Sequence, residues 1–506
     1  MEVLHNIGLG LTELARLDVL VILMFGTFLG IIIGVIPGLT ATMAVALAVP
    51  ITFSMDAMTG LALLISMYVG GMTGGLVSAI LLNIPGTPAS IATTYDGYPM
   101  AQKGQPGKAL GLAVTCSFLG GGFSYLVLLT ISPLVARVAV NLSYFDIFSV
   151  VACALVMIAD SSQGTLIKSL IAGFIGIMVG VVGPDPISGI SRMTFGYAEL
   201  NGGFAQTSIL VGLFAFSQLL ADVRMVDKKL PEFTVQFKDI VPKARDLLAA
   251  KWNILRSSVI GTFIGIIPGV GATTAGIIAY NQAKNSSKNP EKFGTGEPAG
   301  VIASESANNA VSGGAMVPLL TLGLPGCPVA ALLLSGLIVK DLAPGPGLFN
   351  SNPGIVYGFF LAFMAANAFM FLIMMSFIKP LTLVLKIPKF LLIGSILSLC
   401  VIGAYVTNNR MMDVWVLFGF GLFGFFMDKL GYSLGPMVLG IILGPIAELQ
   451  LRRGLSSSDG SFLPLVTSPV SLAFLIIAAI VLVLPFYQQR RQESRRRRMV
   501  SIVFKK

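Results

Sequence analysis

The chain has 506 residues, of which 55% are hydrophobic and 11% charged, with a mean hydropathy of +0.87 and a net charge of +10. Soluble domains carry about 25% charged residues, and surface-to-volume limits keep much of a soluble chain this long in contact with water. A soluble globular fold is therefore excluded. Apolar runs near the ~20-residue spanning length, among them 19–36, 355–377 and 464–485, point to an all-α polytopic membrane protein. A β-barrel would show short alternating segments instead.

The N-terminal segment sets Glu2, Glu13 and Asp18 against a lone Arg16. That is too little positive charge for a cleavable signal, so the first apolar run reads as a retained helix. This run carries the Pro-Gly step GVIPGLTAT (34–42), and a Gly-rich helix follows over 58–82. Gly70, Gly71, Gly74 and Gly75 give that helix a smooth face suited to close packing. A second break, NIPGTP (83–88), precedes the hydroxyls of Thr87, Ser90, Thr93 and Thr94. Asp96, with Lys103 and Lys108, then marks a membrane exit. Helices near 109–135, 144–159, 165–182 and 207–222 complete a first transmembrane repeat, 1–222.

Segment 223–256 holds eight Lys or Arg and reads as a basic cytoplasmic linker. The second repeat, 257–449, opens on GIIPGVGAT (265–273) and continues through ASESANNAVSGG (303–314) to GLPGCP (323–328). Helices near 355–377, 390–406, 414–427 and 437–449 follow. A loop and last transmembrane helix (450–487) lead into a basic cytoplasmic tail, 488–506. That tail suits positive-inside topology and contact with anionic membrane lipids better than nucleic acid. In all, roughly ten to twelve spanning helices are expected.

The Pro-Gly steps come in matched pairs. Pro268 follows Pro37 by 231 residues and Pro325 follows Pro85 by 240, so a nine-residue insertion separates the matches. The segment before the first step has one basic residue and that before the second has eight. Entry from opposite sides of the membrane, and so inverted repeats, is the arrangement these flanks favour.

Proline removes a backbone donor and clashes with the preceding turn, while glycine permits conformations closed to other residues. Together they free carbonyls on one side of a break and amides on the other. The helix that follows presents its positive end to whatever lies there. Such broken helices, with the hydroxyls of Thr40, Thr42, Thr273 and Thr274 beside them, suit a carboxylate and a hard cation. The polar stretch around Ser304, Glu305, Ser306, Asn308, Asn309 and Ser312 adds oxygens. If it is helical, Glu305, Asn308, Asn309 and Ser312 share one face. Asp160, Asp413, Asp428 and Glu448 fall near helix ends, where an interfacial position is expected.

Other chemistry has little to work with. The cysteines (Cys116, Cys153, Cys327 and Cys400) are scattered, and His5 is the one histidine. Neither a disulfide framework nor a zinc site is indicated. No nucleophile–base–acid set and no G-x-x-x-x-G-K-[ST] loop occurs, so the chain is not expected to be an enzyme and an ion gradient should supply the energy.

The motifs GVIPGLTATMAVALAVP, NIPGTPASIATTYDGYPMAQKGQPGKALG, GIIPGVGATTAG and ANNAVSGGAMVPLLTLGLPG resemble the large membrane subunit of tripartite tricarboxylate transporters, the TctA family. The resemblance runs from about residue 19 to the last helix. It implies a secondary transporter of the bacterial inner membrane, with its C-terminus cytoplasmic. The implied partners are a small membrane subunit and a periplasmic solute-binding protein that captures carboxylates such as citrate. Uptake would be coupled to Na+ or H+, with Na+ as a candidate coupling ion and no other cofactor. The candidate substrate site comprises Pro85, Gly86, Thr87, Pro88, Ser90, Asn308, Asn309, Pro325, Gly326 and Cys327. The candidate Na+ site comprises Gly38, Thr40, Thr42, Gly269, Thr273, Thr274 and Ser306. Thr87 in the first copy is Cys327 in the second, so the half-sites are chemically unequal. An ion channel with a Pro-Gly backbone filter is the alternative.

Overall fold

The computed structural model describes residues 2–161, 166–222, 240–385 and 389–483. These are almost wholly helical. In chain order the helices are α1 (Glu2–Leu14), α2 (Leu17–Val35), α3 (Ala41–Thr52), α4 (Ala57–Leu82), α5 (Ile91–Gln102), α6 (Pro106–Ala139), α7 (Tyr144–Ser161) and α8 (Leu166–Gly180). Next come α9 (Gln206–Val211), α10 (Ser217–Asp222), α11 (Ala244–Ala249), α12 (Lys251–Ile266), α13 (Gly271–Asn285), α14 (Pro298–Leu322) and α15 (Pro328–Val339). The set closes with α16 (Pro346–Ser351), α17 (Pro353–Val384), α18 (Lys389–Asn408), α19 (Met411–Lys429), α20 (Leu434–Ser457), α21 (Leu463–Thr467) and α22 (Pro469–Val483). A π-helical turn, Gly212–Phe216, joins α9 to α10. The sole sheet among the described residues is a two-stranded antiparallel pairing of Gly183 with Arg192 and Pro184 with Ser191.

Six of the described helices (α2, α4, α6, α17, α19 and α20) are long and apolar enough to cross a membrane. The other apolar helices are shorter, at 10–17 residues. The sequence count of ten to twelve merges these two classes, because an apolar run looks alike whether it spans or stops halfway. The charged linker lies outside the described residues over 223–239. Its remainder is helical from Ala244 onward, and α12 begins inside it at Lys251. The end of the last segment (484–487) and the basic tail also lie outside the described residues.

Two helices form the centre. α4 is buried along its whole length and α14 nearly so. α2 and α3 pack on α4, α12 and α13 pack on α14, α6 lies along α14, and α17 lies along α4. The close contacts recur at the sequence offsets. A Cβ on Gly30 would stand 2.7 Å from the Met67 carbonyl oxygen, and one on Gly261 would stand 2.1 Å from that of Ala307. Gly34 meets Gly71 as Gly265 meets Val311, and Gly74 meets Ile31 as Gly314 meets Thr262. Helix ends match too: α4 stops at Asn83 and α14 at Gly323, each in the left-handed region. The large exposed apolar side chains, such as Phe25, Phe174 and Trp415, fit a surface that faces lipid.

Termini and loops are held by polar contacts. Asp56 caps α4 through the amides of Met58 and Thr59 at 3.1 and 3.3 Å, and receives Arg16 at 2.9 Å. Burial works against its ionised form, but the Thr59 and Arg16 hydrogen bonds prevail and hold its carboxyl down from 3.8 to about 2. A depressed carboxyl stabilises the fold above its unfolded value and loses that contribution as pH falls through its folded one. Asp56→Asn should therefore lower the unfolding temperature at neutral pH by an amount worth about 1 kcal/mol or less. The gap to the unmodified chain should close between pH 3.8 and about 2. Thermal unfolding in detergent across that range measures it.

At another loop, Arg192 reaches Glu448 at 2.5 Å and Asp185 at 3.3 Å, and Arg452 binds both acids. This pins the strand-bearing loop to α20. Asp413 is buried, with Arg410 at 3.1 Å and Asn408 at 2.7 Å as partners. Asp413 and Glu448 thus serve to hold elements together.

Candidate functional site

All four Pro-Gly breaks frame one cavity of about 710 Å³. α2 stops at Val35, its C-cap Ile36 turns extended, and Gly38 takes φ 97° before α3 starts. The second copy does the same: α12 stops at Ile266, Ile267 is extended, and Gly269 takes φ 86°. Both glycines lie where a side chain would be strained. The breaks after α4 and α14 lead into Pro88 and Pro328, each at the first turn of a new helical segment. Proline there wastes no hydrogen bond, because the first amides of a helix are unpaired in any case.

The result is a ring of helix starts. Thr40, Ala41 and Thr42 from α3, Thr87 to Ala89 before α5, Gly269 to Thr274 at α13, and Cys327 to Val329 at α15 all line the cavity. At α3 the Thr40 hydroxyl caps the helix, accepting from the Met43 amide at 3.2 Å. The Cys327 sulfur takes the corresponding place at α15, facing the Val329 and Ala330 amides, while the starts at Thr87 and Val270 carry no side-chain cap. Helix starts of this kind carry unpaired amides and a positive dipole end, and here they share the cavity wall with the Asp428 carboxyl. Tyr68 and Met72 of α4 and Val311 of α14 complete the inner wall.

The sequence candidates divide into two groups. Thr42, Thr87, Pro88, Thr273, Thr274, Gly269 and Cys327 line the cavity, and so does Thr40, although its oxygen is already engaged as a cap. Pro85, Gly86, Pro325, Gly326, Gly38 and Ser90 stand behind the lining. A Cβ on Gly86 would meet the Gly34 carbonyl at 2.4 Å, so this residue seats the break against α2. The Gly269 amide donates to the Gly326 carbonyl at 2.7 Å, which ties the two breaks of the second half together. Ser90 lies 3.3 Å from Thr87, oxygen to oxygen, and supports it from behind.

Ser306, Asn308 and Asn309 are buried in α14 and are not on the cavity wall. The single polar face drawn through Glu305, Asn308, Asn309 and Ser312 divides in the folded chain. Glu305, Asn309 and Ser312 bond to α4, α5 and α6. Asn308 has both amide atoms buried without a hydrogen-bond partner. Asp96 does not mark a water-facing exit: it is fully buried and bonded to the loop before α14.

One cavity wall was missed by sequence reading. Asp428, Gly431, Tyr432, Ser433, Leu434, Gly435 and Pro436, at the turn between α19 and α20, also line the cavity. The motif GYSLGP offered a turn signal there, but no duplicate elsewhere in the chain singled it out.

Fold and site together define an all-α polytopic membrane protein whose broken helices converge on one cavity. The family model of the tripartite tricarboxylate transporter TctA family matches residues 20–439, and the chain belongs to that family. The chain is 33% identical over 477 residues, 94% of each chain, to a protein of Agrobacterium vitis described as an uncharacterized 52.8 kDa protein in the TAR-I ttuC' 3' region. It is 35% identical over 215 residues, 42% of this chain and 89% of the relative, to a protein in the TAR-II ttuC' 3' region of the same organism. No solved structure matches.

Proposed function

We propose that this subunit imports a carboxylate by secondary transport, coupled to cation entry and served by a small membrane subunit and a periplasmic solute-binding protein. The reading places it in a bacterial inner membrane, with the tail on the cytoplasmic side. Family membership supports a tripartite transporter component. The observation that carries the rest is the convergence of four broken helices on one cavity, two of whose helix starts carry no side-chain cap. Broken helices at bilayer depth are tolerated where they line such a cavity, and their positive ends suit anionic substrates.

In this reading a carboxylate sits among the starts at Thr87, Gly271 and Pro328, with Thr42, Thr273 and Thr274 donating to it or holding Na+. Thr87 and Cys327 then set the difference between the half-sites. Sulfur is the weaker hydrogen-bonding atom, so the Thr87 side should hold the more strongly bound carboxylate oxygen. Thr87→Val removes one hydrogen bond to a charged group, worth about 1.5–3 kcal/mol, which corresponds to a KM roughly 10–150-fold higher. Thr87→Cys should fall in between. Uptake of labelled citrate, dicarboxylates and aromatic acids into cells expressing the complete system tests this. Unsaturable, uncoupled flux would sink the carrier reading in favour of a channel, and an unchanged KM in both variants would remove Thr87 from the site.

A further inference from the structure

Glu305 lies in the N-terminal half of α14 and is fully buried. The Thr93 hydroxyl of α5 makes a short hydrogen bond to its Oε1. Ser117 of α6 donates to Oε2 at 2.8 Å, and the Asn309 amide reaches the same oxygen at 3.4 Å. Asn309 is oriented in turn by Thr73 of α4, whose hydroxyl donates to Oδ1 at 2.9 Å. The carboxyl thus ties α14 to helices of the other half. Among the described residues no cation pairs with it. Cys116 of α6 is its titratable neighbour. On α12, Arg256 is engaged by Ser286 and Asn253. The titratable group of α4 is Tyr68, and that of α13 nearest this region is Tyr280, bonded to Asp96.

A buried carboxylate without a cation is costly in a membrane interior. Every other buried or half-buried acid described above has a fixed role: Asp413 and Glu448 face arginines, and Asp96 is surrounded by backbone amides. Glu305 differs because its partners suit both protonation states. As a carboxylate it accepts from Thr93, Ser117 and Asn309. As an acid its Oε1–H can donate to Thr93. The Thr93 hydroxyl then turns toward Ser304, 3.3 Å away, and Ser304 has the Gly300 and Val301 carbonyls as acceptors at 3.0 and 3.1 Å. Hydroxyl rotors reverse without moving heavy atoms.

A second observation lies one turn along the helix. Asn308 has 0% exposure and neither amide atom has a partner. Buried polar groups are seldom left so. It stands three residues from Glu305 and three from Val311, which lines the cavity. Asn308 therefore offers an unused donor and an unused acceptor within one helical turn of Glu305, where an entering water or ion would find a partner.

Building on the transport reading, we propose that Glu305 carries the coupling proton. The carboxylate takes a proton from a hydronium ion that enters from the cavity side, so that one O–H bond of the hydronium breaks as the Glu305 O–H bond forms; after the helices rearrange the neutral acid returns the proton to water on the other side. No electron transfer is involved.

The test uses the purified full chain in lipid vesicles and the complete system in cells. Infrared difference spectra across a pH titration should show a carboxylic-acid carbonyl band that is absent from Glu305→Gln. Ser117→Ala should shift the frequency of that band, because one hydrogen bond to the carboxyl is gone. In cells, Glu305→Gln should keep citrate exchange and lose accumulation driven by a pH gradient. A band set unchanged in Glu305→Gln, or accumulation that survives in that variant, overturns the assignment. So does accumulation by the unmodified protein that follows a Na+ gradient at fixed pH and ignores a pH gradient. Absence of carboxylate exchange in the unmodified system would instead count against the transport reading, and the infrared arm would still decide whether Glu305 titrates.

Discussion

Gly74→Val should leave almost no folded protein, and Gly314→Val should do the same from the other half of the chain. A Cβ at Gly74 would fall 2.5 Å from the carbonyl oxygen of Ile31, and one at Gly314 would fall 2.2 Å from that of Thr262. Both obstacles are backbone atoms in the middle of a helix, so no side chain can swing aside. In lipid, helices associate through close packing rather than hydrophobic exclusion, and small residues at the seam set how near they come. Overpacking a filled core costs typically about 1–3 kcal/mol, and more where nothing can yield; here valine adds three carbons against fixed backbone, in a protein whose total stability is roughly 5–15 kcal/mol. Gly74→Ala should be milder and remain foldable, with a lowered unfolding temperature. Gly419→Ala, at a position with nothing within 4 Å, is the control and should be neutral. Fluorescence-detected size exclusion and thermal unfolding in detergent report all four. Normal accumulation of folded Gly74→Val would show that the α2–α4 seam can open, contrary to the packing argued above.

The same seam shows why so much of the site was legible in the sequence. A Pro-Gly step inside an apolar run is a local chemical fact, and its consequence for the backbone is local too. Pro37-Gly38 and Pro268-Gly269 had to break their helices wherever the chain placed them. What could not be read is which side of each break faces the cavity. Thr42 and Thr87 face it, while Gly86 faces the backbone of Gly34. That choice depends on the rotation of α2 against α4, a tertiary quantity. The wall formed by Tyr432, Ser433 and Gly435 comes from the far end of the chain, and only folding brings it to the breaks. The polar run 303–314 was visible as a place where polarity enters an apolar helix. Its division into a bonded Glu305–Asn309 pair and an unbonded Asn308 follows from three different neighbouring helices.

Asp96→Ala should release the loop that precedes α14 and lower stability by several kcal/mol, whereas Asp96→Asn should keep much of the fold. The Asp96 carboxylate has taken the place of water for four donors. Its Oδ1 accepts the amides of Gly294, Gly296 and Glu297 at 2.9, 2.7 and 2.8 Å, and its Oδ2 accepts the Tyr280 hydroxyl at 2.9 Å. A charged acceptor makes each of these bonds worth about 1.5–3 kcal/mol, and every buried donor left unpaired costs about 1–3 kcal/mol. Alanine abandons all four. Asparagine keeps one carbonyl oxygen for the three amides, and its amide group can donate to the Tyr280 oxygen, so the loss is confined to the charge. Lys103 supplies a second tether, donating to the Thr295 carbonyl at 2.6 Å, so the loop should loosen rather than detach. Lys288 and Lys292 lie in this exposed loop, and cleavage by trypsin there should accelerate in Asp96→Ala well before global unfolding. Equal cleavage rates in the alanine variant and the unmodified chain would mean that the loop is held by something other than this carboxylate. Because Asp96 stands one turn from Thr93, and Thr93 bonds Glu305, a loosened loop should also disturb the hydroxyl chain around the proposed proton carrier. On the proposed transport reading, carboxylate accumulation should therefore fall further in Asp96→Ala than its loss of folded protein accounts for.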